Sequence, residues 1–265
     1  MKKKRRISFS TVYLALGLVI IYLPIALVIL YSFNESKLSS VWGGFSLKWY
    51  RTLFADKAMF QALGNSLILG LSASLAAGVV GTLGAVGFDR VRPRSRRLIE
   101  YLTSLPLMTP EIILGMVFMA FFGMLGIPFG MGTLILSHTT FCIPYVFMLV
   151  QARLVGMDRS LAEAARDLGA SPAQAFFTVT LKLTMPGLLS GVILTFIPSM
   201  GLFFIADILG GNKVVLVGSL IQDQLLQAHN WPFAAALSVV LMLLTSLMIG
   251  LYKRVTHTTR LEGLL

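Results

Sequence analysis

Charged side chains are scarce in this chain of 265 residues: Asp, Glu, Lys and Arg together make up 12% of it, whereas 56% of its residues are hydrophobic. A water-soluble domain needs more polar surface than this composition supplies. Acidic residues are the rarer charges, with 11 Asp and Glu against 22 Lys and Arg, so the formal net charge is +11. The composition excludes an ordinary soluble protein and indicates an integral membrane protein.

Motifs for catalysis and nucleotide binding are also missing. The chain lacks H-E-x-x-H and G-x-S-x-G, and its three His residues, His138, His229 and His257, show no metal-ligand spacing. His138 and the single Cys142 are four residues apart, but two ligands do not make a metal site, so we expect both to serve packing. The chain has no G-x-x-x-x-G-K-[ST] P-loop. We therefore expect no enzyme activity, no metal and no cofactor in this chain.

Long apolar runs are what the sequence does contain. A helix needs about 20 apolar residues to cross a hydrocarbon core of about 30 Å. We therefore predict an all-α integral membrane protein with six transmembrane helices, formed by a single transmembrane domain over residues 1–265. The predicted spans are 11–33, 62–88, 98–122, 133–152, 188–208 and 233–252.

The basic residues are distributed unevenly between the two sides of these spans. Seventeen of the 22 Lys and Arg lie at the two termini, in 90–97 or in the segment between the fourth and fifth spans, and five lie on the other side. Lys and Arg accumulate in cytoplasmic loops. We therefore expect both termini and the segment 154–187 in the cytoplasm, and we interpret the charge as a topology signal rather than a nucleic-acid surface.

The third apolar run is interrupted by proline. It contains Pro106 and Pro110, and proline removes a backbone donor and clashes with the preceding turn. Thr109 is a suitable N-cap, Pro110 a suitable first helical residue and Glu111 a favourable first-turn acid. At about 1.5 Å per residue from Leu98, Glu111 would lie about 20 Å into the membrane. We expect a broken span here.

The segment 154–187 carries start and stop signals for two short helices. Ser160 and Glu163 have the spacing of a capping box. Gly169 stands where a residue after a helix adopts a left-handed conformation. Ser171 and Gln174 have the same capping-box spacing and begin a second helix, which runs toward Pro186-Gly187, where the fifth span begins. The pattern alone fits either a rigid elbow that docks in a partner's groove or a helix on the lipid surface.

This segment resembles the EAA loop of ABC importer permeases. The resemblance is carried by Glu163-Ala164-Ala165, Gly169, Val179-Thr180-Leu181 and Pro186-Gly187, in that order and spacing. Lys182 departs from the family, many members of which have proline there. The resemblance implies a type I importer architecture and a segment 154–187, called the EAA loop below, that couples to an ATPase. The implied coupling residues are Glu163, Ala164, Ala165, Asp167, Gly169 and Ala170.

Other segments resemble the paired permeases of spermidine/putrescine importers. Ser32-Phe33-Asn34, residues 42–46 and Lys48-Trp49-Tyr50 resemble one permease, and residues 196–201, 206–211 and 231–233 resemble its partner. The resemblance implies a polyamine importer in a bacterial plasma membrane, with a second, homologous or identical permease. It also implies a cytoplasmic ATPase dimer that binds the ATP, and an extracytoplasmic solute-binding protein. A permease of the same plan for ferric iron, molybdate or an opine remains the alternative.

A path for a polyamine requires carboxylates and aromatic faces, because a polycation cannot shed its water into hydrocarbon. Charged residues inside membrane spans are functional candidates for the same reason. Glu111 and Asp207 meet this condition, and Phe203 and Phe204 precede Asp207 by about one turn or less. We predict that all four line the path. The alternatives are that Glu111 only caps a broken helix and that Asp207 is an interfacial carboxylate.

Overall fold

The computed structural model describes residues 9–38, 41–88, 91–158, 160–211 and 213–262. Within these ranges the backbone is predominantly helical, and one isolated β-bridge joins Asn34 to Phe45. The helices are α1 (Phe9–Tyr31), α2 (Lys48–Ala55), α3 (Lys57–Phe88), α4 (Pro93–Met108), α5 (Glu111–Met124), α6 (Met131–Val155), α7 (Ser160–Asp167), α8 (Pro172–Ala175), α9 (Leu181–Gly201), α10 (Phe204–Leu209), α11 (Val217–Leu226) and α12 (Trp231–Glu262). A π-helical segment, Phe176–Thr180, joins α8 to α9.

Five helices in the described part of the chain are long and apolar enough to cross a membrane. They are α1, α3, α6, the continuous stretch Pro172–Gly201 and α12. The pair α4 and α5 passes the same test together, but its two helices are bent by 108° at the break between them. The count is therefore five spans, or six if the bent pair is one span.

The break between α4 and α5 lies at Thr109 and Pro110. Both residues have extended backbones, as expected for a proline and the residue before it. Thr109 ends α4, and its hydroxyl donates to the Leu105 carbonyl at 2.7 Å. Pro110 is the N-cap of α5, so the prediction of Thr109 as N-cap and Pro110 as first helical residue is wrong by one position. The bend also means that a straight count does not give the depth of Glu111.

The helix that enters the fifth apolar run starts much earlier than expected. Pro172–Gly201 is one helical stretch of 30 residues that passes through the π segment and includes Pro186. The second loop helix is thus present, and it continues without a break through Pro186 and Gly187 into the fifth apolar run. Membrane helices tolerate proline because hydroxyl groups and local π adjustments satisfy the freed backbone groups. Here Thr184 donates its hydroxyl to the Thr180 carbonyl at 2.9 Å, within the turn before Pro186.

The far end of this stretch also differs from the expected bound of 208. α9 ends at Gly201 because Leu202 adopts an extended backbone, and α10 starts separately at Phe204. Phe203, Phe204 and Asp207 therefore belong to a separate short helix and its N-cap, rather than to the fifth span itself.

The chain divides into two compact units, one formed by Met1–Met59 and Leu220–Ser246, the other by Phe60–Ser219 and Leu247–Leu265. In the first unit, Asn34 organises the segment after α1. Its buried side chain donates to the Val41 carbonyl at 2.8 Å and accepts from the Gly43 N–H at 2.8 Å. Its own carbonyl accepts from the Trp49 indole at 2.7 Å. The residues that carry one part of the polyamine-permease resemblance thus hold a compact turn together.

In the second unit, α3, α6 and α9 approach one another at glycines. A Cβ at Gly81 would lie 2.9 Å from Val146 Cβ, and one at Gly191 would lie 3.0 Å from Val146 Cα. A Cβ at Gly187 would lie 2.8 Å from the Leu149 carbonyl oxygen. Small residues allow membrane helices to pack this closely. These contacts fix the helix that leads out of the EAA loop against α6.

The short helix α10 packs against α5 in the same unit. Ile205 and Leu209 are fully buried in an apolar cluster that also contains Phe122 of α5. A Cβ at Gly115 of α5 would lie 3.2 Å from Ile208 Cδ1, so the two helices are in close contact. This packing fixes the helix that carries Asp207.

Candidate functional site

The first helix of the EAA loop, α7, is capped by an aspartate. Asp158 Oδ1 accepts a hydrogen bond from the Ser160 N–H at 2.9 Å. This hydrogen bond holds the pKa of the exposed Asp158 carboxyl below its ordinary value. The capping carboxylate is therefore Asp158, and the prediction of Ser160 as N-cap is wrong. Aspartate is as good an N-cap as serine.

The end of α7 has the geometry predicted from Gly169. Gly169 has φ +93°, and the left-handed conformation expected there is confirmed. Its N–H donates to the Arg166 carbonyl at 2.9 Å, and the Ala170 N–H donates to the Ala165 carbonyl at 3.0 Å. These two bonds form a Schellman motif, which satisfies the last carbonyls of the helix. The motif fixes the direction in which the chain leaves α7.

The second helix of the loop starts at the capping box predicted for it. Ser171 Oγ accepts from the Gln174 N–H at 3.2 Å, and Gln174 Oε1 accepts from the Ser171 N–H at 2.8 Å. Pro172 occupies the first helical position. The Schellman motif ends at Ala170 and the capping box begins at Ser171, so no residue between them lacks a backbone hydrogen bond. α7 is therefore joined rigidly to the long helix that continues to Gly201.

The predicted coupling residues lie together on this rigid corner. Glu163, Ala164, Asp167 and Gly169 are exposed, whereas Ala165 and Ala170 are half-buried. Glu163 also lines a cavity of about 400 Å³ at the corner, as does Arg166 one turn later. Arg166 was not among the predicted residues, although its spacing from Glu163 is that of a neighbouring pair on a helix.

Two large apolar side chains also stand out on this corner. Leu168 is 90% exposed and Leu161 is 48% exposed. They are seven residues apart, which places them on nearly the same side of a helix. Both side chains are therefore available for contact with a partner protein at this corner. Their spacing was visible in the sequence, but their exposure was not.

Glu111 lies at the start of α5, half-buried. Its carboxylate lies beside the backbone of Ile205, in the first turn of α10. One carboxylate oxygen, Oε1, is buried and has no hydrogen-bond partner in the part of the chain that the structure describes. Glu111 therefore lies where α5 meets the start of α10, and it keeps an unused acceptor.

Asp207 and the two phenylalanines lie on and beside α10. Asp207 is exposed, and Ser219 Oγ donates to its Oδ1 at 2.8 Å. The rings of Phe203 and Phe204 have centroids 4.2 Å apart, and Phe204 is 37% exposed. Ser219 could not be identified from the sequence, because nothing in the loop between Asp207 and Ser219 indicates that the two residues lie close together. The four predicted path residues are thus all connected with one short helix.

The described residues contain no group of three or more His, Cys, Asp or Glu that could hold a metal ion. His138 is fully buried on α6. Cys142, one turn further along, is also buried, and its Sγ lies 3.6 Å from Ser199 Oγ on α9. Both residues thus occupy the packed interior of the second unit.

The chain combines several apolar spans with a capped, exposed helical corner between two of them. This organisation is typical of a membrane transport subunit. A family model, the binding-protein-dependent transport system inner membrane component, matches residues 70–260. The chain is 36% identical over 243 residues to the putrescine transport system permease protein PotI of Escherichia coli, covering 89% of this chain and 86% of PotI. It is 30% identical to the spermidine/putrescine permease PotC of Haemophilus influenzae, covering 89% and 92%.

Solved structures agree on the fold. A bacterial alginate ABC transporter, crystallised with a periplasmic protein that carries an alginate pentasaccharide, superimposes with a TM-score of 0.74 at 15% identity, covering 94% of both chains. A chain of the MetNI methionine ABC transporter superimposes with a TM-score of 0.64 at 20% identity, covering 77% of this chain and 98% of that one.

The chain therefore belongs to the family of binding-protein-dependent inner-membrane components, the permease subunits of ABC importers. The predicted all-α, type I importer permease fold is confirmed, as is the resemblance that the EAA loop indicated. The protein is a multi-pass permease subunit of an inner-membrane family, and its relatives are transport subunits rather than enzymes.

Proposed function

We propose that this subunit forms part of the path through which a polyamine, putrescine or spermidine, enters the cell. The observation that carries the proposal is the identity of 30–36% to permeases named for putrescine and spermidine/putrescine, over almost nine tenths of the chain. The solute is not set by the fold, because the same fold occurs in an importer of alginate, an acidic polysaccharide. The side chains that line the path must therefore determine which solute is transported.

The groups around α10 favour a cationic solute. Asp207 presents an exposed carboxylate, oriented by the Ser219 hydroxyl. Phe203 and Phe204 present adjacent ring faces, which attract ammonium groups. Glu111 retains one unused acceptor oxygen in the same region. An importer of an anion would instead place basic groups or helix N-termini along its path.

The remaining partners follow from the family. The EAA loop would dock on a cytoplasmic ATPase dimer, which binds and hydrolyses ATP, so that this chain itself holds no cofactor. A second permease, identical or homologous, would complete the path, and an extracytoplasmic solute-binding protein would deliver the polyamine. Both termini and the EAA loop would then lie in the cytoplasm of a bacterial cell, and the whole chain would act as one transmembrane domain.

Uptake of radiolabelled putrescine and spermidine, in cells with and without this chain, tests the proposal. Ferric iron and molybdate serve as control solutes. We expect loss of polyamine uptake alone when the chain is deleted. Intact polyamine uptake together with lost uptake of another solute would leave the permease assignment in place and show that the solute is not a polyamine.

The path residues are tested by Asp207→Asn and Glu111→Gln. Each removes a charge at nearly constant volume, and losing a hydrogen bond to a charged group costs about 1.5–3 kcal/mol, so we expect polyamine uptake to fall about tenfold or more at low substrate concentration. Glu100→Gln, at an exposed carboxylate of α4, is the matched control. Unchanged uptake in both path variants, at equal amounts of protein in the membrane, would remove them from the path.

A further inference from the structure

An apolar groove runs between α3 and the helix that leaves the EAA loop. It has a volume of about 370 Å³ and is lined on one side by residues such as Leu75, Val79 and Leu83, on the other by Phe177, Leu188 and Val192. The volume is within the range of small-ligand sites. At Gly78, which also lines the groove, a Cβ would lie 3.0 Å from Val192 Cγ2. The two helices that form the groove are therefore in close contact at Gly78.

One polar atom in this apolar lining lacks a partner. Thr82 is 3% exposed and lines the groove, and its Oγ1 is buried without a hydrogen-bond partner among the described residues. Leaving a buried hydroxyl without a partner costs free energy, and buried polar groups in proteins are nearly always hydrogen-bonded. Rotation of the Thr82 side chain to another rotamer would turn this hydroxyl toward the groove, where an acceptor oxygen of a bound molecule would remove the cost.

A positively charged residue, Lys182, adjoins the groove lining on α9. Lys182 is exposed and comes directly after Leu181, which lines the groove. It is also seven residues before Leu189, another lining residue, so the two share a face of α9. At this position the sequence departs from the proline of many family members. The groove thus combines an apolar body, a hydroxyl donor within it and a cation beside it.

We propose that this groove binds one anionic phospholipid of the cytoplasmic leaflet. An acyl chain would fill the apolar groove, an ester carbonyl would accept from Thr82 Oγ1, and the phosphate would pair with Lys182. The choice of an anionic lipid rests on the charge at Lys182, and the choice of leaflet rests on the orientation proposed above. Binding here would couple the lipid composition of the membrane to the helix that carries movement out of the EAA loop.

The test uses the purified full-length chain in detergent and phospholipids with a photoactivatable acyl chain. Phosphatidylglycerol is the anionic probe and phosphatidylcholine the zwitterionic one. We expect phosphatidylglycerol to label peptides from α3 and from the stretch 176–192 more strongly than phosphatidylcholine does. No transport is involved, so this result is independent of whether polyamines are the solute.

Three variants separate the elements of the site. Val79→Trp fills the groove from an exposed position, and we expect it to abolish labelling. Lys182→Gln should reduce the preference for phosphatidylglycerol about fivefold, the effect of about 1 kcal/mol per basic residue near an anionic surface. Thr82→Val should weaken labelling by both lipids.

Matched controls are available elsewhere in the chain. Thr139→Val removes another buried hydroxyl without a partner, on α6 and outside the groove, and Lys253→Gln removes another exposed cation. Both should label like the unmodified chain. Equal labelling by the two lipids, or labelling that persists in Val79→Trp, would overturn the proposal. Cross-linking of Val79→Cys to a second polypeptide in the membrane would also overturn it, because the groove would then be a subunit interface.

Discussion

Close packing against α6 requires a glycine at position 187 of the EAA motif. Any Cβ there would lie 2.7 Å from Arg153 Cγ and 2.8 Å from the Leu149 carbonyl oxygen. We predict that Gly187→Ala destabilises the protein by about 1–3 kcal/mol, the usual cost of overpacking, because the carbonyl belongs to the backbone of α6 and cannot rotate away. The measurement is the midpoint of thermal unfolding in detergent, which should fall by several degrees.

Gly123→Ala provides the control for this substitution. Gly123 also lies in a helix, α5, but a Cβ there meets no described atom within 4 Å. Alanine favours helix over glycine, so the midpoint should stay the same or rise slightly. Equal losses in the two variants would show that the effect is one of glycine replacement in general and not of the contact with α6.

Asp158 predicts a pH dependence of the EAA loop. Its pKa is lowered in the folded protein by the hydrogen bond from the Ser160 N–H, so the stabilisation of α7 is present above the ordinary pKa of an aspartate and is lost as the pH falls through the lowered value. Hydrogen exchange of the first turn of α7 should show protection at neutral pH that decreases under acid conditions. Asp158→Asn, which still caps a helix, should remove most of this pH dependence; an unchanged dependence would assign it to another group.

At the scale of the element, we expect the Schellman motif of α7 to determine how efficiently ATP hydrolysis is coupled to transport. Gly169 has φ +93°, a conformation that costs a residue with a Cβ about 1–2 kcal/mol. We predict that Gly169→Ala alters the angle between α7 and the following helix. In proteoliposomes with its ATPase, the variant should hydrolyse more ATP per polyamine transported than the unmodified complex.

Gly126 offers a control with the same backbone requirement in another place. It has φ +66° after α5, and a Cβ there meets open space among the described residues. Gly126→Ala should lose a similar amount of stability and keep the ratio of ATP to solute unchanged. If both variants change the ratio alike, the effect comes from lost stability and not from the corner of the EAA loop.

The elements of the loop were predictable where the signal was local. Gly169 and the Ser171–Gln174 capping box follow from hydrogen bonds within a few residues, and the structure has both. Local signals failed where two residues competed, as Asp158 and Ser160 did for one helix start. They also gave no sign that the helix continues unbroken through Pro186, because the packing that holds it there, such as that of Gly187 against α6, is not local.

At the scale of the whole molecule, the charge distribution predicts orientation. In a Cys142→Ser background, a cysteine at Leu168 and one at Trp42 would both be accessible, since these residues are 90% and 49% exposed. The first should be protected in intact cells from a membrane-impermeant maleimide and react after permeabilisation, because the EAA loop is on the basic side. The second should react in intact cells. Labelling of Leu168→Cys without permeabilisation would reverse the topology.

The membrane fold and the family were accessible from sequence because hydrophobic runs and the EAA motif are continuous in the chain. The surroundings of the path residues were not. Glu111 lies beside the backbone of Ile205 because α5 packs against α10, and Asp207 accepts from Ser219, which lies beyond the loop that follows α10. Charge and spacing identified candidates, and only tertiary packing determined which groups they contact.

The stretch Pro172–Gly201 has 30 residues, a length of about 45 Å at 1.5 Å per residue. One end is fixed to the corner that contains Gly169, and the other leads through Leu202 to Phe203 and α10. A single residue inserted or deleted along it would change its length by about 1.5 Å and turn one end by about 100° relative to the other. A change in its length would therefore rotate the proposed ATPase-docking corner relative to the proposed solute path, which a substitution at constant length does not do.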